Sequence, residues 1–370
     1  MIIGIEANHA NKEQRTGVEN YCWQMINNLK KQIPSDVRVI LYSQKPLLPG
    51  LTEDMPKNWE LKILKWPFAK LWSQTRLSLE MILNPPDIFF APGQLIPFGC
   101  PKNTVVTVHD SAFMFFPEAY SFLGKIYLKW MNKRIAKVAK KILTPSQFSK
   151  NEFIKLYKFS PENIIVTPLG YDKNVYFSAK ESFLPDLSFL PINKNFIFYV
   201  GRLEEKKNVI SLLRAFEKIK ENNDIALVLA GKPGYGFEKI EKAVNKSGYK
   251  KDIILTGWLS DKQIAACFRK CLLFVFPSFY EGFGIPLIEA MACGCPVLAA
   301  KGNSLEEVGG ENYIYFDPKN WLDLAEKMGK LLKDDIILNE FRQSGLKRAD
   351  NFSWQKTANI TANELIKLQN

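Results

Sequence analysis

The stretch CLLFVFPSFYEGFGIPLIEAMACGCPVLAA, residues 271–300, decides the fold. It begins with an apolar, β-rich run, passes through a Gly-Phe-Gly turn, continues as a helix and ends in a second apolar run. Runs that are apolar throughout are typical of strands buried on both faces, which belong to parallel sheets covered by helices. The stretch therefore predicts one β-α-β unit of a doubly wound α/β domain.

The same alternation of apolar runs with helix-length segments continues along the chain. The other runs lie at 2–8, 37–43, 61–66, 87–93, 104–110, 140–146, 164–170, 195–203, 225–231, 253–259 and 312–318. Because a single core stops growing near roughly 250–300 residues, we expect two α/β domains, at 1–180 and 190–350. Residues 178–195 contain prolines and serines without a clear period and are expected to link them. Residues 351–370 are expected to form a last helix with Ser353 as its N-cap.

The composition is that of a globular protein, and the net charge of the 370 residues is +12. Such a charge favours an anionic partner, which leaves nucleic acid, anionic lipid and phosphorylated small molecules open. No segment approaches the roughly 20 apolar residues of a membrane span, and the first residues lack the pattern of a signal peptide. We expect a cytoplasmic protein that is at most peripheral to a membrane.

Six cysteines show no disulfide framework, as expected where thiols stay reduced. Four of them cluster in the sequence, namely Cys267, Cys271, Cys293 and Cys295. A zinc site is the alternative to buried structural thiols, but the paired C-x-x-C spacing of zinc knuckles is missing. The pattern favours buried thiols.

Glu281 and Glu289 flank the Gly-Phe-Gly turn. Ligands of open α/β sheets bind beyond the carboxyl ends of strands, where helices begin. We expect the free N–H groups of Phe283, Gly284 and Ile285 to bind an anion or a hydroxyl there, with Glu289 in the first turn of the following helix. A carboxylate in such a place suits the hydroxyls of a sugar or a ribose. The alternative for Glu289 is a favourable interaction with the helix dipole.

A second candidate site is the segment YVGRLEEKKN, residues 199–208. Arg202 offers a planar guanidinium and Lys207 a point charge just beyond a strand, where a phosphate can bind. The alternative is a solvated basic loop, in which Lys206 is expected to be simply exposed. Both candidate segments should open on the same edge of the sheet.

The first half of the chain offers further candidates. There is no G-x-x-x-x-G-K-[ST] loop and no G-x-G-x-x-G fingerprint after the first strand, which counts against an ATPase or a dinucleotide oxidoreductase. Gly17 lies between that strand and a helix, where it either lets the backbone approach a ligand or only starts the helix. His9 follows the first strand, and His109 follows another, where a histidine is either structural or part of a site.

These motifs together resemble those of glycosyltransferase family 4, retaining enzymes with the GT-B fold of two Rossmann-like domains facing across a cleft. The resemblance extends over nearly the whole chain and is strongest from 196 to 318. The segments that carry it are GRLEEKKN (201–208), TGWLSD (256–261), FPSFYEGFGIPLIEAMACGCPVLA (276–299), VHD (108–110) and TPSQFSKNEF (144–153).

The resemblance implies a nucleotide-sugar donor that is used without a metal or another cofactor. Arg202 and Lys207 would hold its diphosphate, Glu281 and the amides of residues 283–285 its sugar, and Glu289 its ribose. Gly17 would approach the diphosphate from the N-terminal domain, and His109 would reach the sugar. His109, Arg202, Lys207 and Glu281 are thus the expected catalytic residues. The last helix would cross back to the N-terminal domain.

Reaction and partners follow from the same resemblance. We expect same-face attack assisted by the leaving phosphate, because no carboxylate nucleophile can be placed from the sequence. TGVENY, residues 16–21, is similar to the polysaccharide-type branch and favours GDP-mannose or UDP-glucose as donor, with a glycan or a lipid-linked acceptor. The rivals are a sugar-nucleotide epimerase or hydrolase, a phosphorylase, for which no pyridoxal-phosphate lysine is identifiable, and a basic binding protein. Nucleic acid is disfavoured, since paired glutamates repel its backbone.

Positive charge is concentrated in the first half of the chain. Residues 1–185 hold 24 Lys and Arg against 15 Asp and Glu, a net +9. Within this half, Lys125, Lys129, Lys133 and Lys137 recur at every fourth position, beside aromatic residues. Such a stripe predicts a face that rests on anionic lipid and brings a lipid-linked acceptor to the site. A solvated helix face is the alternative.

Overall fold

The computed structural model describes residues 1–68, 71–178, 186–311 and 313–369. They form two compact units. Unit 1 comprises Met1–Gly170 and Ser353–Asn370, and unit 2 comprises Tyr171–Phe352. Part of the expected linker, 179–185, lies outside the described residues.

Unit 1 is built on a parallel sheet, with seven strands in the described residues. Along the sheet the order is β3-β2-β1-β4-β5-β6-β7. From β1 the chain adds strands toward one edge up to β3, and from β4 it adds them toward the other edge. The strand order therefore has its reversal point between β1 and β4, although all strands are parallel. The strands are β1 (Ile2–Glu6), β2 (Arg38–Ser43), β3 (Trp59–Ile63), β4 (Ile88–Ala91), β5 (Thr104–Thr107), β6 (Lys141–Thr144) and β7 (Ile164–Val166). In open α/β sheets, the gap beyond the carboxyl ends at such a reversal is where ligands bind.

Helices cover both faces of this sheet, so its central strands are fully buried, including Phe89 and Phe90 of β4. The last helix packs against the first one and so belongs to unit 1. Ser353 is its N-cap, as predicted, and accepts a hydrogen bond from the N–H of Lys356 at 3.1 Å. The helices are α1 (Gly17–Leu29), α2 (Pro49–Thr52), α3 (Ser78–Leu83, preceded by a π-turn at Ser73–Leu77), α4 (Ala112–Phe115), α5 (Phe122–Val138), α6 (Gln147–Tyr157) and α14 (Trp354–Ile366).

Unit 2 repeats this design with six parallel strands in its described part, in the order β10-β9-β8-β11-β12-β13. The reversal point of this strand order lies between β8 and β11. The strands are β8 (Phe196–Val200), β9 (Ala226–Ala230), β10 (Ile253–Gly257), β11 (Leu273–Phe276), β12 (Val297–Ala300) and β13 (Tyr315–Phe316). The opening stretch of sequence thus forms β11, a helix and β12, the β-α-β unit that it predicted.

The helices of unit 2 pack around an aromatic core in which Phe268 meets both Phe198 and Phe274 edge to face. The expectation of two parallel α/β sheets is confirmed. The helices are α7 (Val209–Lys220), α8 (Phe237–Lys246), α9 (Asp261–Lys270), α10 (Ile285–Ala292), α11 (Ser304–Gly309), α12 (Trp321–Leu331) and α13 (Asp335–Ala349). Among all described residues, no helix combines the length and the apolar character needed to cross a membrane.

Candidate functional site

The loops after β8 and β11 meet at the reversal point of the unit 2 sheet. Gly231, at the end of the neighbouring strand β9, lets them fit closely. A Cβ atom at this position would lie 1.9 Å from the carbonyl oxygen of Gly201, and its φ of 148° is itself unfavourable for other residues. Only glycine therefore allows the loop after β8 to lie against the end of β9.

Lys207 and Glu281 form the centre of this site. Lys207 ends a short 3₁₀ turn, Glu205–Lys207, before α7, and its Nζ lies 2.6 Å from Oε1 of Glu281 in the loop after β11. The two side chains are only 15% and 12% exposed. The pair is largely shielded from water, where a charge-assisted hydrogen bond is stronger than at the surface.

Further hydrogen bonds hold the two loops in place. The N–H of Phe279 donates to the carbonyl oxygen of Lys206 at 3.0 Å. At the start of α11, the hydroxyl of Ser304 donates to the carbonyl oxygen of Glu281, and the amide of Asn303 donates to that of Ser278. The backbone on both sides of the Lys207–Glu281 pair is therefore fixed before any ligand binds.

The start of α10 presents free backbone donors. Gly284 precedes the helix with φ of 97°, and its Cβ position is filled by Leu305, so glycine is required there. The N–H groups of Phe283, Gly284 and Ile285 find no acceptor within the described part of the chain. Such donors at a helix N-terminus suit an anionic or hydroxyl group.

Arg202 and Lys206 differ in their surroundings. The side chain of Arg202 is 65% exposed, and its nearest carboxylate is Glu204, 3.8 Å away. Lys206 was expected to be simply exposed, and this was wrong. Its side chain is largely covered and lies 3.4 Å from the buried Glu204. Glu204 thus lies between the two cations, with Lys206 largely covered and the guanidinium of Arg202 exposed at the surface.

Glu289 lies deeper in the structure than the sequence predicted. It is the fifth residue of α10, not a residue of the first turn, because the helix begins at Ile285 and Pro286 takes its second position. Burial, together with the negative charge of Asp261, raises the pKa of Glu289 to about 8, although the Tyr176 hydroxyl hydrogen-bonds to it. This carboxyl is therefore mostly protonated at neutral pH.

In unit 1, the reversal point of the sheet carries the pair of His9 and Glu6. Glu6 ends β1 and is fully buried. Its carboxylate accepts the N–H of Asn8 at 2.9 Å, and Nδ1 of His9 lies 2.7 Å from its other oxygen. The charge of Glu6 raises the pKa of His9, so this ring stays protonated to higher pH than a free histidine.

His109 follows β5 and is fixed on several sides. Nε2 lies 2.8 Å from the carbonyl oxygen of Pro92, and the ring packs edge to face on Tyr21 at 4.7 Å between centroids. Since the carbonyl can only accept, Nε2 carries the proton and Nδ1 is the acceptor. Burial lowers the pKa of His109 to about 4, so the ring is neutral at physiological pH.

A polar chain connects His109 to α5. The N–H of His109 donates to Oε1 of Gln94 at 3.0 Å, and the amide of Gln94 donates to Oδ1 of Asn132 at 3.3 Å. Asn132 is a fully buried residue of α5. One face of this helix thus supports the candidate site of unit 1.

Gly17 is the first residue of α1, after Thr16. The N–H and hydroxyl of Thr16 donate to the carboxylate of Glu19 at 2.8 and 2.9 Å, which closes the start of the helix. A Cβ atom at Gly17 would meet no atom within 4 Å. Packing inside unit 1 therefore does not explain why glycine occupies this position.

The four clustered cysteines are buried and free, as the interpretation as structural thiols predicted. Sγ of Cys271 lies 3.2 Å from Sγ of Cys295. Across the described ranges, no group of three or more His, Cys, Asp or Glu side chains is arranged to hold a metal ion.

Two family models match the chain. The model of glycosyl transferases group 1 matches residues 186–348, and that of Glycosyltransferase Family 4 matches residues 15–175. The chain belongs to glycosyltransferase family 4. It is thus an enzyme, a glycosyltransferase, and the resemblance noted from its motifs is confirmed.

Named relatives agree with this membership. The enzyme is 29% identical over 282 residues to O-antigen chain mannosyltransferase B of Escherichia coli, covering 75% of this chain and 73% of the relative. It is also 29% identical over 278 residues to the serotype-specific mannosyltransferase WbdA of E. coli. That match covers 72% of this chain, which spans only 34% of the length of WbdA.

A solved structure supports the fold. HepE of Anabaena, determined in complex with UDP and glucose, has a TM-score of 0.74 to this chain at 19% sequence identity. The match covers 99% of both chains. With its two doubly wound units, the glycosyltransferase has the GT-B fold.

Four residues that position the candidate sites were not predicted from the sequence. Glu6, Glu204, Asn303 and Ser304 were not singled out, although each positions a candidate residue or its loop. Only Asn303 had a recognisable pattern, since Asn before a helix is a common N-cap. The others become visible only when distant loops are brought together.

Proposed function

We propose that this glycosyltransferase moves a hexose from a nucleoside-diphosphate sugar to a glycan or lipid-linked acceptor in surface polysaccharide synthesis, with retention at the anomeric carbon. The observation that carries the proposal is the cluster at the reversal point of unit 2. There Lys207, Glu281, the exposed Arg202 and three free N–H groups lie on the loops after β8 and β11.

Each part of this cluster suits one part of a nucleotide sugar. Arg202 and Lys207 are assigned to the diphosphate, whose charge grows as it leaves. Glu281 and the amides of residues 283–285 are assigned to sugar hydroxyls, and Glu289 to the ribose. From unit 1, Gly17 is assigned to the diphosphate and His109 to the transferred sugar. The open space at Gly17 and the neutral ring of His109, whose Nδ1 has no hydrogen-bond partner in the described part of the chain, support these two assignments.

The proposed chemistry is a same-face displacement. The bond from the anomeric carbon to the phosphate oxygen breaks, the acceptor oxygen bonds to that carbon, and the leaving phosphate takes the acceptor proton. A double displacement would need a free carboxylate as nucleophile. Glu281 is tied to Lys207 at 2.6 Å, which argues against that role. The two cations take the place of a metal in this scheme, so transfer should survive EDTA.

The relatives favour two donors. The relative named as an O-antigen chain mannosyltransferase favours a mannose donor, for which we propose GDP-mannose, and HepE, determined with UDP and glucose, favours UDP-glucose. All six cysteines are free, which agrees with the reducing cytosol, where nucleotide sugars are made, as the proposed compartment.

A donor screen followed by product analysis tests the proposal. Thermal shifts with nucleoside diphosphates and their sugars should identify one base, since a ligand at a hundredfold excess over its Kd stabilises the fold by about 2.7 kcal/mol. NMR of the product should then show the anomeric configuration of the donor. An inverted product would refute the same-face reaction. Consumption of the donor with no transfer to any glycan or lipid-linked acceptor would favour an epimerase or hydrolase instead.

A further inference from the structure

The outward face of α5 is unusual for a protein surface in water. Phe122, Leu123, Ile126 and Trp130 are between 43% and 76% exposed, and they lie within three turns of one helix. Phe122, Ile126 and Trp130 are four residues apart, so they form one ridge along the helix. Contiguous exposed apolar side chains of this kind mark an interaction surface.

A ridge of lysines runs beside the apolar one. Each lysine of this ridge follows a residue of the apolar ridge, or its continuation at Arg134, by three positions. Residues three apart are neighbours on a helix surface, so the two ridges lie side by side. The lysines are Lys125, Lys129, Lys133 and Lys137. Lys129, Lys133 and Lys137 are exposed. No carboxylate offsets them on this helix, because residues 119–151 contain seven lysines and one arginine but no Asp or Glu.

The apolar surface continues beyond α5. The rings of Trp130 and Phe98 lie edge to face, 5.6 Å apart, and the guanidinium of Arg134 donates to the carbonyl oxygen of Phe98. Gly99 in turn packs against Ile82 at the end of α3, since a Cβ there would lie 2.4 Å from Cγ1 of Ile82. Phe98 and Ile82 are 52% and 65% exposed. We call this surface, from Phe122 to Ile82 with its lysine ridge, the basic-apolar face.

We propose that the basic-apolar face binds the surface of an anionic lipid bilayer. The binding of an amphipathic helix to a membrane surface strengthens with its buried apolar area and with its attraction to anionic lipids, and this face offers both. The apolar side chains can enter the boundary of the acyl chains, where Trp is favoured, and the lysines can lie among the anionic headgroups. A protein partner would need many acidic groups opposite the lysines, whereas a bilayer supplies them at any register.

The basic-apolar face and the candidate site of unit 1 lie on opposite sides of α5. The opposite side of α5 carries Asn132, which hydrogen-bonds to Gln94 and through it supports His109. A bilayer under the exposed side would thus lie about one helix diameter, roughly 10–12 Å, from the candidate site of unit 1. This consequence, delivery of a lipid-linked acceptor, rests on the proposed function. Membrane binding itself does not.

Vesicle sedimentation of the full chain tests the proposal. The wild type should pellet with phosphatidylcholine vesicles that contain phosphatidylglycerol, should not pellet with pure phosphatidylcholine, and should be released by 0.5 M salt. Lys129→Gln with Lys133→Gln should lower the partition coefficient about thirtyfold, or about fivefold for each lysine. Phe122→Ser with Leu123→Ser should lower it with both charges kept.

Matched controls lie in unit 2. Lys242 and Lys246 are exposed residues of α8, so Lys242→Gln with Lys246→Gln changes the net charge equally. Ile336 is 74% exposed, so Ile336→Ser removes an equally exposed apolar side chain. These variants should bind vesicles like the wild type, and the melting temperatures of all variants should show that they fold.

Three results would overturn the proposal. The wild type would fail to bind anionic vesicles in 0.1 M salt, or the unit 2 controls would lose as much binding as the variants of α5. As a third result, the wild type would form a dimer and would not bind vesicles, and Phe122→Ser with Leu123→Ser would dissociate that dimer. The basic-apolar face would then join two copies of the chain. Donor binding is measured separately without vesicles, so a failure of the proposed function is distinguishable.

Discussion

The Lys207–Glu281 pair gives the sharpest test of the site, because its two members should affect ligand binding in opposite directions. Lys207→Met removes the cation assigned to the diphosphate and leaves the carboxylate of Glu281 beside it. Glu281→Gln keeps the shape and an acceptor oxygen for Lys207 but removes the negative charge. Both changes are small at positions whose backbones are held by other contacts.

The magnitudes follow from the geometry. A hydrogen bond to a charged group contributes about 1.5–3 kcal/mol, so Lys207→Met should weaken binding of the nucleoside diphosphate by roughly 10- to 150-fold. Exposed ion pairs contribute about 0–1 kcal/mol, whereas removing one partner of a buried pair costs about 3–5 kcal/mol. With side chains 15% and 12% exposed, the loss of stability should be about 2 kcal/mol.

Glu281→Gln should bind the nucleoside diphosphate as tightly as the wild type or more tightly, because a negative charge beside the phosphates is gone. Its sugar transfer should nevertheless fall, since Glu281 is assigned to the sugar. Isothermal titration calorimetry measures the affinities and radiolabelled donor the transfer. Lys330→Met is the control, because Lys330 pairs with Glu326 at 2.8 Å on the surface of the same unit, and both assays should be unchanged.

Two results would refute this reasoning. If Lys207→Met binds the nucleoside diphosphate like the wild type, the lysine does not contact the phosphates. If Glu281→Gln loses as much affinity for the nucleoside diphosphate as Lys207→Met, the pair only holds the loops together and the separate roles are wrong.

Three further predictions concern single positions. Because the pKa of Glu289 is about 8 and ribose hydroxyls need its carboxylate form, donor binding should release a proton. The affinity for the nucleotide sugar should therefore rise with pH from 6 to 8 by up to about tenfold per unit, and titrations of Glu289→Gln should show no such slope. Gly17→Ala should melt like the wild type, since its Cβ meets no atom. Initial transfer rates should nevertheless fall about tenfold or more, because the methyl group blocks the approach of the backbone to the donor diphosphate. An unchanged rate would mean that Gly17 only starts the helix. Gly231→Ala should lower the free energy of unfolding in urea by about 3 kcal/mol, because its Cβ would lie 1.9 Å from the carbonyl oxygen of Gly201. Gly248→Ala is the control and should leave the free energy of unfolding unchanged, since a Cβ there meets no atom within 4 Å. Equal stabilities of the two variants would refute the close contact.

Much of the architecture could be predicted because it depends on short-range patterns. Apolar runs mark strands buried on both faces, and helices between them require parallel crossovers, which predicted both sheets. Some ends were misplaced: β3 was expected at 61–66 but forms at Trp59–Ile63, and β13 is only Tyr315–Phe316. Hydrogen bonds to the neighbouring strand set these ends, and the local sequence does not encode them.

The sequence by itself determined the family, the two α/β units and the residues of the opening stretch, because these are encoded in motifs and in the order of elements. Only the tertiary structure decided which groups meet. It paired Lys207 with Glu281, 74 positions away, placed Glu289 where burial raises its pKa, and set apolar and lysine ridges side by side on the outward face of α5. The physical reason is that the energies of charged and apolar side chains depend on their surroundings, and distant segments supply those surroundings.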